Sequence, residues 1–439
     1  MTRMDGKRLD ASTFQIDPGI RRGRYSDEYF RNAAEILTGL AAEGYRFAGT
    51  CPALEAAGVD PAGLHTGDVE VEMQYFTKRQ PASIAAGIDQ AIAILRECSG
   101  FFDGQDRFHN TFNRLEVEAV HDGDGLAPWA PAMKVRGRYR DFAILETPML
   151  GVMARGTRIA TNTYEALSAA GGKPVFLFGA RFDIPQTQPA DGYAYKVGLE
   201  RFNADTERHL PPMVTTAAQG QWWGGAGGGT TSHSLILCFL RDTTEAMLQF
   251  ARLLPTGIRR IALVDTNNDC VGDSTRCALA FFRKWHDLKQ AGREDEAARY
   301  VLHGVRCDTA AELTDMSVEP TDDVTQERGV CPRLVRNVRR ALDCLADQAD
   351  LPAGARGRAR RYFRDVKIAV SGGFNPQRIA AFEAEEVPAD MYGLGSFLIA
   401  GPNNDFTADV VRVKAAGTWH EMPKVGRKPM PNPDLVPVS

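Results

Sequence analysis

The sequence predicts an α/β protein: an irregular, TIM-like α/β barrel over residues 151–400, with an α+β N-terminal domain over 1–150 that residues 401–439 complete. Three observations predict it. From Lys173 onward, short apolar runs alternate with helical stretches, the pattern of strands buried between helices. These runs end in polar or glycine-rich signatures, at Arg181, Asp265, Asp308 and the turns at Ser371 and Gly393. The C-terminal ends of barrel strands are where such enzymes place their chemistry. Before residue 140, helices and half-buried strands are mixed without that repeat, which reads as a separate α+β layer.

At 439 residues the chain is long enough for two or three domains and a large core. Its net charge of −4 argues against nucleic acid or an anionic membrane as a partner. No apolar run reaches membrane-spanning length, and the start MTRMDGKRLD has no signal-peptide apolar segment. The eight cysteines stand singly, with no C-x-x-C, so neither a zinc knuckle nor a disulfide framework is indicated. A reduced, cytoplasmic protein without protein-held metal is the expectation.

Residues 1 to about 20 are polar and read as an arm. Ser26 and Asp27 can cap a helix running to about Ala42, with Tyr29, Phe30, Ala33, Ile36 and Leu37 at helical spacing. On pattern alone, Tyr29 is a core residue. Residues 69–76 alternate as a strand does, 84–99 read as a helix, and 111–120 and 132–135 read as further strands. A helix follows from Phe142 through Thr161 to Ala170. Glu146 sits there among apolar residues, where a buried carboxylate needs a partner; it either orients an arginine or caps a turn.

The barrel repeat starts with 174–179, a buried-type strand leading to Arg181. Residues 186–228 are rich in glycine, proline and polar side chains, include Trp222 and Trp223, and read as one long loop. A loop of that length in a compact domain is more often functional or disordered than idle. Residues 229–234 close it and start a helix. Residues 258–265 read as a strand, 273 to about 292 as a helix, 301–307 as a strand, and 328–349 as a basic amphipathic helix. Two strand-then-glycine units follow: 367–370, breaking at Ser371, Gly372 and Gly373, and a second turn at 392–396. Between them Asn375 and Pro376 start a helix with Ile379, Ala380 and Phe382 on one face. Loops after the last strands of such barrels often hold a phosphate, because glycine lets the backbone approach and helix-start amides face the anion. The same turns also serve as ordinary strand-to-helix connections.

Taken in order, these segments resemble nicotinate phosphoribosyltransferases of the shorter archaeal and bacterial branch, from about residue 20 to 400. RYSDEYF is similar to that family's T-D-x-Y segment, and FAILETPMLGVMARGTRIATNT to its L-E-T-x-x-L-G and A-T segment. KPVFLFGAR resembles the F-G-x-R strand, GTTSH the G-T-x-x-H segment, and IALVDTNND the L-V-D-T-Y-x-D segment. GVRCDT with ERGVCPRLVRNVRRALD resembles G-V-R-x-D-S/T followed by R-G and V-R-x-x-L-D, while KIAVSGGFN and YGLGSFL are similar to two phosphate turns.

The resemblance implies the type II phosphoribosyltransferase fold and transfer of a phosphoribosyl group from phosphoribosyl pyrophosphate to nicotinate, in NAD salvage. In that reaction the anomeric carbon becomes cation-like, and the leaving pyrophosphate calls for Mg²⁺ and cationic donors. By resemblance, Asp265 and Asp308 face the ribose or the metal and its waters. Gly372, Gly373, Gly393 and Gly395, with Ser371, hold the 5′-phosphate. Phe178 stacks on the base and Arg181 neutralises its carboxylate. Tyr29 reaches the base from the partner subunit of a homodimer or larger assembly with a shared site. Thr230 and Thr309 belong to matched segments and are expected at the substrate, and Arg306 and Arg339 at phosphate or acidic groups. His233 matches the histidine the family can phosphorylate, which would make ATP a co-substrate. His233, Asp265 and Asp308 form the expected catalytic set.

Plainer roles stand beside these: Asp265 and Asp308 as loop caps, Arg181 in a structural ion pair, His233 as a helix-start residue, and the arginines of 333–340 as a solvated helix face. Two departures from the family pattern bear on the acceptor. Phe182 follows Arg181 where a second arginine is usual, and Glu165 stands where an arginine often follows A-T-N. Both remove positive charge near an acidic base, and they keep open transfer to another heteroaromatic acid, quinolinate-like or of secondary metabolism. A non-catalytic nucleotide-binding relative is a further alternative, opposed by the intact Asp265, Asp308, His233 and glycine turns. An unrelated barrel isomerase or aldolase predicts a strand-end lysine or a general-base glutamate, and neither stands out. The C-terminal cysteine cluster of some archaeal members is missing, so no structural zinc is expected.

Overall fold

A computed structural model describes residues 7–352 and 354–438; the first six residues of the expected arm lie outside that range. From Arg8 on, that stretch is pinned: the Arg8 guanidinium donates to buried Asp89 at 2.9 Å and to the Ala119 and Val120 carbonyls at 3.0 Å. The chain divides into two compact units, 1–164 with 194–207 and 402–439, and 165–193 with 208–401.

The first unit is built on a six-stranded antiparallel sheet. Its order is Thr418–Glu421, Phe406–Ala415, Glu70–Thr77, Pro131–Arg138, Glu116–Ala119 and Val436–Pro437. Val71, Met73 and Tyr75 of the central strand alternate onto one face, where they meet Ile88, Ile92 and Leu95 of the helix Ile88–Cys98 in one apolar cluster. The other face is buried but polar. Glu72, 1% exposed, is held by Arg136 at 2.6 Å and Arg412 at 2.8 Å, so the buried charge is compensated.

Several sequence expectations change here. The strand expected over 111–120 shortens to Glu116–Ala119, because Phe112–Arg114 turns as a 3-10 helix. The helix expected from 84 starts at Ile88, after a short strand Ser83–Ile84 and Gly87 at φ +82°. A side chain at Gly87 would meet the Val152 carbonyl oxygen at 2.4 Å, so close packing as well as φ requires glycine. The helix Glu28–Ala42 buries none of its residues, and Tyr29 is 63% exposed, which removes the core role for that ring. Asp27 does not cap this helix through its side chain; its carboxylate accepts from the Thr147 hydroxyl at 3.0 Å and the Tyr29 hydroxyl at 3.1 Å. Glu146 opens the helix Glu146–Ala169 and makes neither a side-chain hydrogen bond nor an ion pair among the described residues. Burial, with the negative charges of Asp409 and Asp27, raises its carboxyl to about 8.

The second unit holds a five-stranded parallel sheet in the order Val175–Leu177, Met391–Leu394, Lys367–Val370, Gly304–Cys307 and Ile261–Leu263. Nearly every strand residue is buried, as a sheet covered by helices demands. The strands are shorter than their apolar runs because flanking groups pair elsewhere. At Arg260, for example, the backbone N–H goes to the His303 ring at 3.1 Å. The helices Cys270–Gln290, Pro332–Gln348 and Pro376–Ala384 follow three of the strands. The basic helix starts at Pro332 and not at Arg328, which sits in an antiparallel bridge with Thr314.

The expected loop over 186–228 is also corrected, since Gln188–Thr206 is an α-helix. Its glycines mark close packing and not a loop. A side chain at Gly192 would meet the Gln219 carbonyl oxygen at 1.9 Å, and one at Gly198 would meet that of Ala160 at 2.3 Å. Among the described residues, no helix is long and apolar enough to cross a membrane.

Candidate active site

A cavity of about 350 Å³ opens where four of the five parallel strands end. Arg306, the third residue of the strand Gly304–Cys307, lines it. The guanidinium donates to Ser371 Oγ at 3.0 Å, Thr230 Oγ1 at 2.9 Å and Asp308 Oδ2 at 2.6 Å, and lies 5.0 Å from the Phe178 ring centroid. Ser371 Oγ in turn donates to Asp308 Oδ1 at 2.6 Å. Charge-assisted bonds of this kind are short and strong, and they fix the carboxylate from two sides. Arg306 is therefore committed to holding Asp308, Ser371 and Thr230 in place.

Arg181 differs. It lines the same cavity and is exposed, with no hydrogen bond or ion pair among the described residues; its only close partner is the Phe182 ring, 5.9 Å away. The structural ion pair considered for it is not formed.

Beside the cavity, His233 Nε2 lies 3.3 Å from Asp265 Oδ2, and Nδ1 lies 3.1 Å from the Thr266 hydroxyl. Asp265 Oδ1 is buried and has no hydrogen-bond partner among the described residues. Burial raises the Asp265 carboxyl to about 6, with nearby Asp308 adding to the rise and His233 and Arg306 opposing it. A buried carboxylate oxygen without a donor fits a cation or a ligand hydroxyl better than it fits a loop cap. No group of three or more His, Cys, Asp or Glu able to hold a metal exists among the described residues. Mg²⁺ is characteristically held by one or two carboxylates together with substrate phosphates, and Asp265 with Asp308 fits that donor set.

The two glycine turns line the cavity for different reasons. Gly372 and Gly373 have φ of +91° and +72°, which side chains adopt only under strain. Asn375 then caps the helix Pro376–Ala384 by accepting from the Arg378 N–H at 2.9 Å. Gly393 and Gly395 instead make room for rings. A side chain at Gly393 would meet Phe178 at 2.7 Å, and one at Gly395 would meet Phe182 at 2.2 Å. Phe182, noted in the sequence only as a missing arginine, thus forms part of the cavity wall with Phe178 and Phe374. An aromatic directly after the matched F-G-x-R segment was the available signal.

Five expected site residues do not line the cavity: Asp265, which stands beside it with His233, and the four that follow. Arg339 donates to the Val366 carbonyl at 2.8 Å and the Phe363 carbonyl at 2.9 Å and pairs with Asp343 at 2.8 Å, so it joins elements and does not line the cavity. Thr309 is buried, its hydroxyl 3.5 Å from Cys270 Sγ. Tyr29 belongs to the other unit. His233 flanks the cavity through Asp265 without lining it. Glu165 is half-buried and is not part of the lining either.

Comparison with known proteins bears out the resemblance read from the motifs. Residues 62–157 match the family model described as quinolinate phosphoribosyl transferase, N-terminal domain. The chain is 26% identical to nicotinate phosphoribosyltransferase pncB1 of Mycobacterium tuberculosis, across 78% of this chain and 70% of the relative. It superposes on a solved nicotinate-nucleotide pyrophosphorylase from Pyrococcus furiosus with a TM-score of 0.62 at 22% identity, covering 94% of this chain and 81% of that one. It superposes on human nicotinic acid phosphoribosyltransferase with a TM-score of 0.55 at 16% identity, covering 89% and 75%. The mixed α/β fold with a parallel sheet is common to these structures.

Proposed function

We propose that this protein is a nicotinate phosphoribosyltransferase, joining nicotinate to phosphoribosyl pyrophosphate and releasing pyrophosphate and nicotinate mononucleotide, in NAD salvage. One observation carries the choice of acceptor. Of the two arginines lining the cavity, Arg306 is committed to Asp308, Ser371 and Thr230, and Arg181 is uncommitted. One free guanidinium beside the Phe178 and Phe182 rings suits a flat aromatic acid with a single carboxylate.

The remaining roles follow from this reading. Phe178 stacks on the pyridine ring, and Arg181 binds its carboxylate. The Ser371, Gly372 and Gly373 turn and the Gly393 to Gly395 turn hold the 5′-phosphate. Asp308, fixed by Arg306 and Ser371, orients the ribose hydroxyls and keeps negative charge near the cation-like anomeric carbon. Asp265 and Asp308 would hold Mg²⁺ brought in with the diphosphate, and that ion would neutralise charge on the leaving group. His233, 44% exposed beside Asp265, is the residue available for phosphorylation, with ATP as co-substrate.

The same reading includes a closed barrel. Parallel bridges run from Leu177 to Val214 and from Val214 to Gly227, and the Thr231 N–H reaches the Ile261 carbonyl at 3.4 Å. The segment 214–231 would thus close the sheet between its two edge strands. It also includes a homodimer with a shared site, supported by the exposed Tyr29 and Ile36 on a helix that buries nothing.

A second reading, transfer to quinolinate, is favoured by the family-model match over 62–157. Two carboxylates would leave one without a free cation in this cavity. The test is pyrophosphate release with phosphoribosyl pyrophosphate and Mg²⁺, using nicotinate, nicotinamide, quinolinate or no base, with and without ATP. Release with nicotinate alone is expected. Release with quinolinate alone, or with none, overturns the proposal.

A further inference from the structure

A second cavity, of about 540 Å³, lies at the opposite ends of the same strands. Ile261, Lys367 and Met391 begin three of the parallel strands, His303 precedes a fourth, and all four line it. One wall is aromatic: Trp285 and Tyr362, with ring centroids 5.4 Å apart. The Tyr362 hydroxyl is engaged outside the cavity's chemistry, donating to the Tyr300 carbonyl at 2.6 Å and accepting from the Leu302 N–H at 2.9 Å. That fixes the ring as a flat apolar surface.

Ile261, Val301, Leu302 and Met391 keep much of the lining apolar, and four cationic side chains stand at it. Arg259, from the segment before Ile261, converges with Arg358 and Arg361 of the helix Arg356–Asp365. All three are exposed, and none has a hydrogen bond or ion pair among the described residues. Lys367 is paired with Asp390 at 3.2 Å, and Asp365 is the carboxylate in the lining. His303 Nδ1 accepts the Arg260 N–H, so Nε2 carries the proton as a neutral donor without another partner among the described residues. Burial and the charges of Arg260 and Arg259 lower its proton affinity. An arginine-rich helix alone would be an ordinary solvated face. Here a guanidinium from a separate segment joins it around an aromatic-walled cavity whose size falls within the range of about 300–1,000 Å³ typical of small-molecule sites.

This cavity is separate from the proposed active site. Between them is a void of about 10 Å³ that shares Ile261 and Met391 with one and Phe178, Thr230, Arg306 and Gly393 with the other. A void of that size holds at most a single water, so no ligand passes through it.

We propose that this cavity is a second ligand site that binds a nucleotide, its base against Trp285 and its phosphates among Arg259, Arg358 and Arg361. Flat rings stack on Trp, and guanidinium groups bind phosphate in a paired geometry. Calorimetric titration of the full chain with ATP, AMP, adenosine and inorganic phosphate measures the affinities, and tryptophan emission reports location. ATP and AMP are expected to bind saturably and quench emission, with adenosine and inorganic phosphate weaker by about tenfold or more, the loss of one charge-assisted contact or one stacked ring. Trp285→Phe removes the quenching. Arg358→Glu with Arg361→Glu, both on an exposed helix face, weakens binding by about tenfold or more. Asp308→Asn, in the other cavity, leaves it unchanged. Absence of ATP and AMP binding, equal affinity in the charge-reversed variant, quenching that survives Trp285→Phe, binding lost in Asp308→Asn, or phosphate alone binding as well as ATP overturns the proposal.

Discussion

Replacing Asp308 separates its structural work from its chemical work. The Arg306 and Asp308 side chains are 16% and 20% exposed, so their 2.6 Å contact is largely shielded from water. Asp308→Ala leaves the Arg306 cation with only two hydroxyl acceptors and the Phe178 face. Breaking a buried pair in this way costs about 3–5 kcal/mol; partial exposure here places the expected loss of stability at about 2–3 kcal/mol. Asp308→Asn keeps an amide oxygen for Arg306 and removes the charge, so its loss is expected to be about 1–2 kcal/mol. Under the role proposed for Asp308 at the ribose, turnover depends on its charge, and both variants are expected to lose about 100-fold or more. Urea unfolding followed by circular dichroism gives the first quantity and pyrophosphate release the second. If both variants stay within about 0.5 kcal/mol of the parent, the size of a neutral surface change, the Arg306 network does not form as described. If Asp308→Asn retains parental turnover, Asp308 does not act in the site.

Three further outcomes are expected. Glu146 keeps its proton in the folded chain up to about pH 8, whereas its ordinary value is 4.5, so its contribution favours folding at low pH and is lost as pH rises through that window. Glu146→Gln should match the parent near pH 4 and exceed it by a few kcal/mol near pH 8, at about 1.4 kcal/mol per pH unit; parallel stability curves would refute this. Arg181→Met should leave stability within about 0.5 kcal/mol, since the guanidinium has no partner to lose, and raise the KM for nicotinate by about tenfold or more, read from initial rates; a large loss of stability with unchanged KM would make Arg181 structural. Gly395→Ala places a methyl 2.8 Å from the Phe178 carbonyl oxygen as well as against Phe182, and backbone cannot swing aside, so a loss of about 1–3 kcal/mol with a raised KM for the base is expected from unfolding and rate measurements.

What the sequence made legible is what local pattern controls. The parallel strands are apolar runs because both faces are buried, and Arg306, Asp308 and Ser371 were found because chemistry collects where such runs stop. What it hid depends on tertiary partners. Arg339 looked like a site residue on motif grounds, yet its partners are carbonyls 24 and 27 positions away. The glycines of 188–206 looked like loop residues, and only the neighbouring carbonyls of Ala160 and Gln219 explain them. Tyr29 looked like a core residue because its helix is amphipathic, yet Phe30, Ala33 and Leu37 are only half-buried and Tyr29 and Ile36 stay exposed. Periodicity says that a face is apolar; it does not say what meets it.

The departures at Phe182 and Glu165 carry unequal weight for the acceptor. Glu165 does not line the cavity, so its charge is not set against a bound acid at contact distance. Phe182 does line it, and Gly395 is glycine so that this ring can lie there. An arginine in place of Phe182 would bring a second free cation beside Arg181; the phenyl ring brings stacking surface instead. Under the proposed reading, the substitution exchanges charge recognition for ring recognition at one position and leaves Arg181 as the cation for a single carboxylate. A second carboxylate on the acceptor would face Phe182, which is itself 46% exposed, and would gain no counter-charge there. Loss of an arginine here is thus a reason to expect a monocarboxylate base and not a reason to doubt an acidic one.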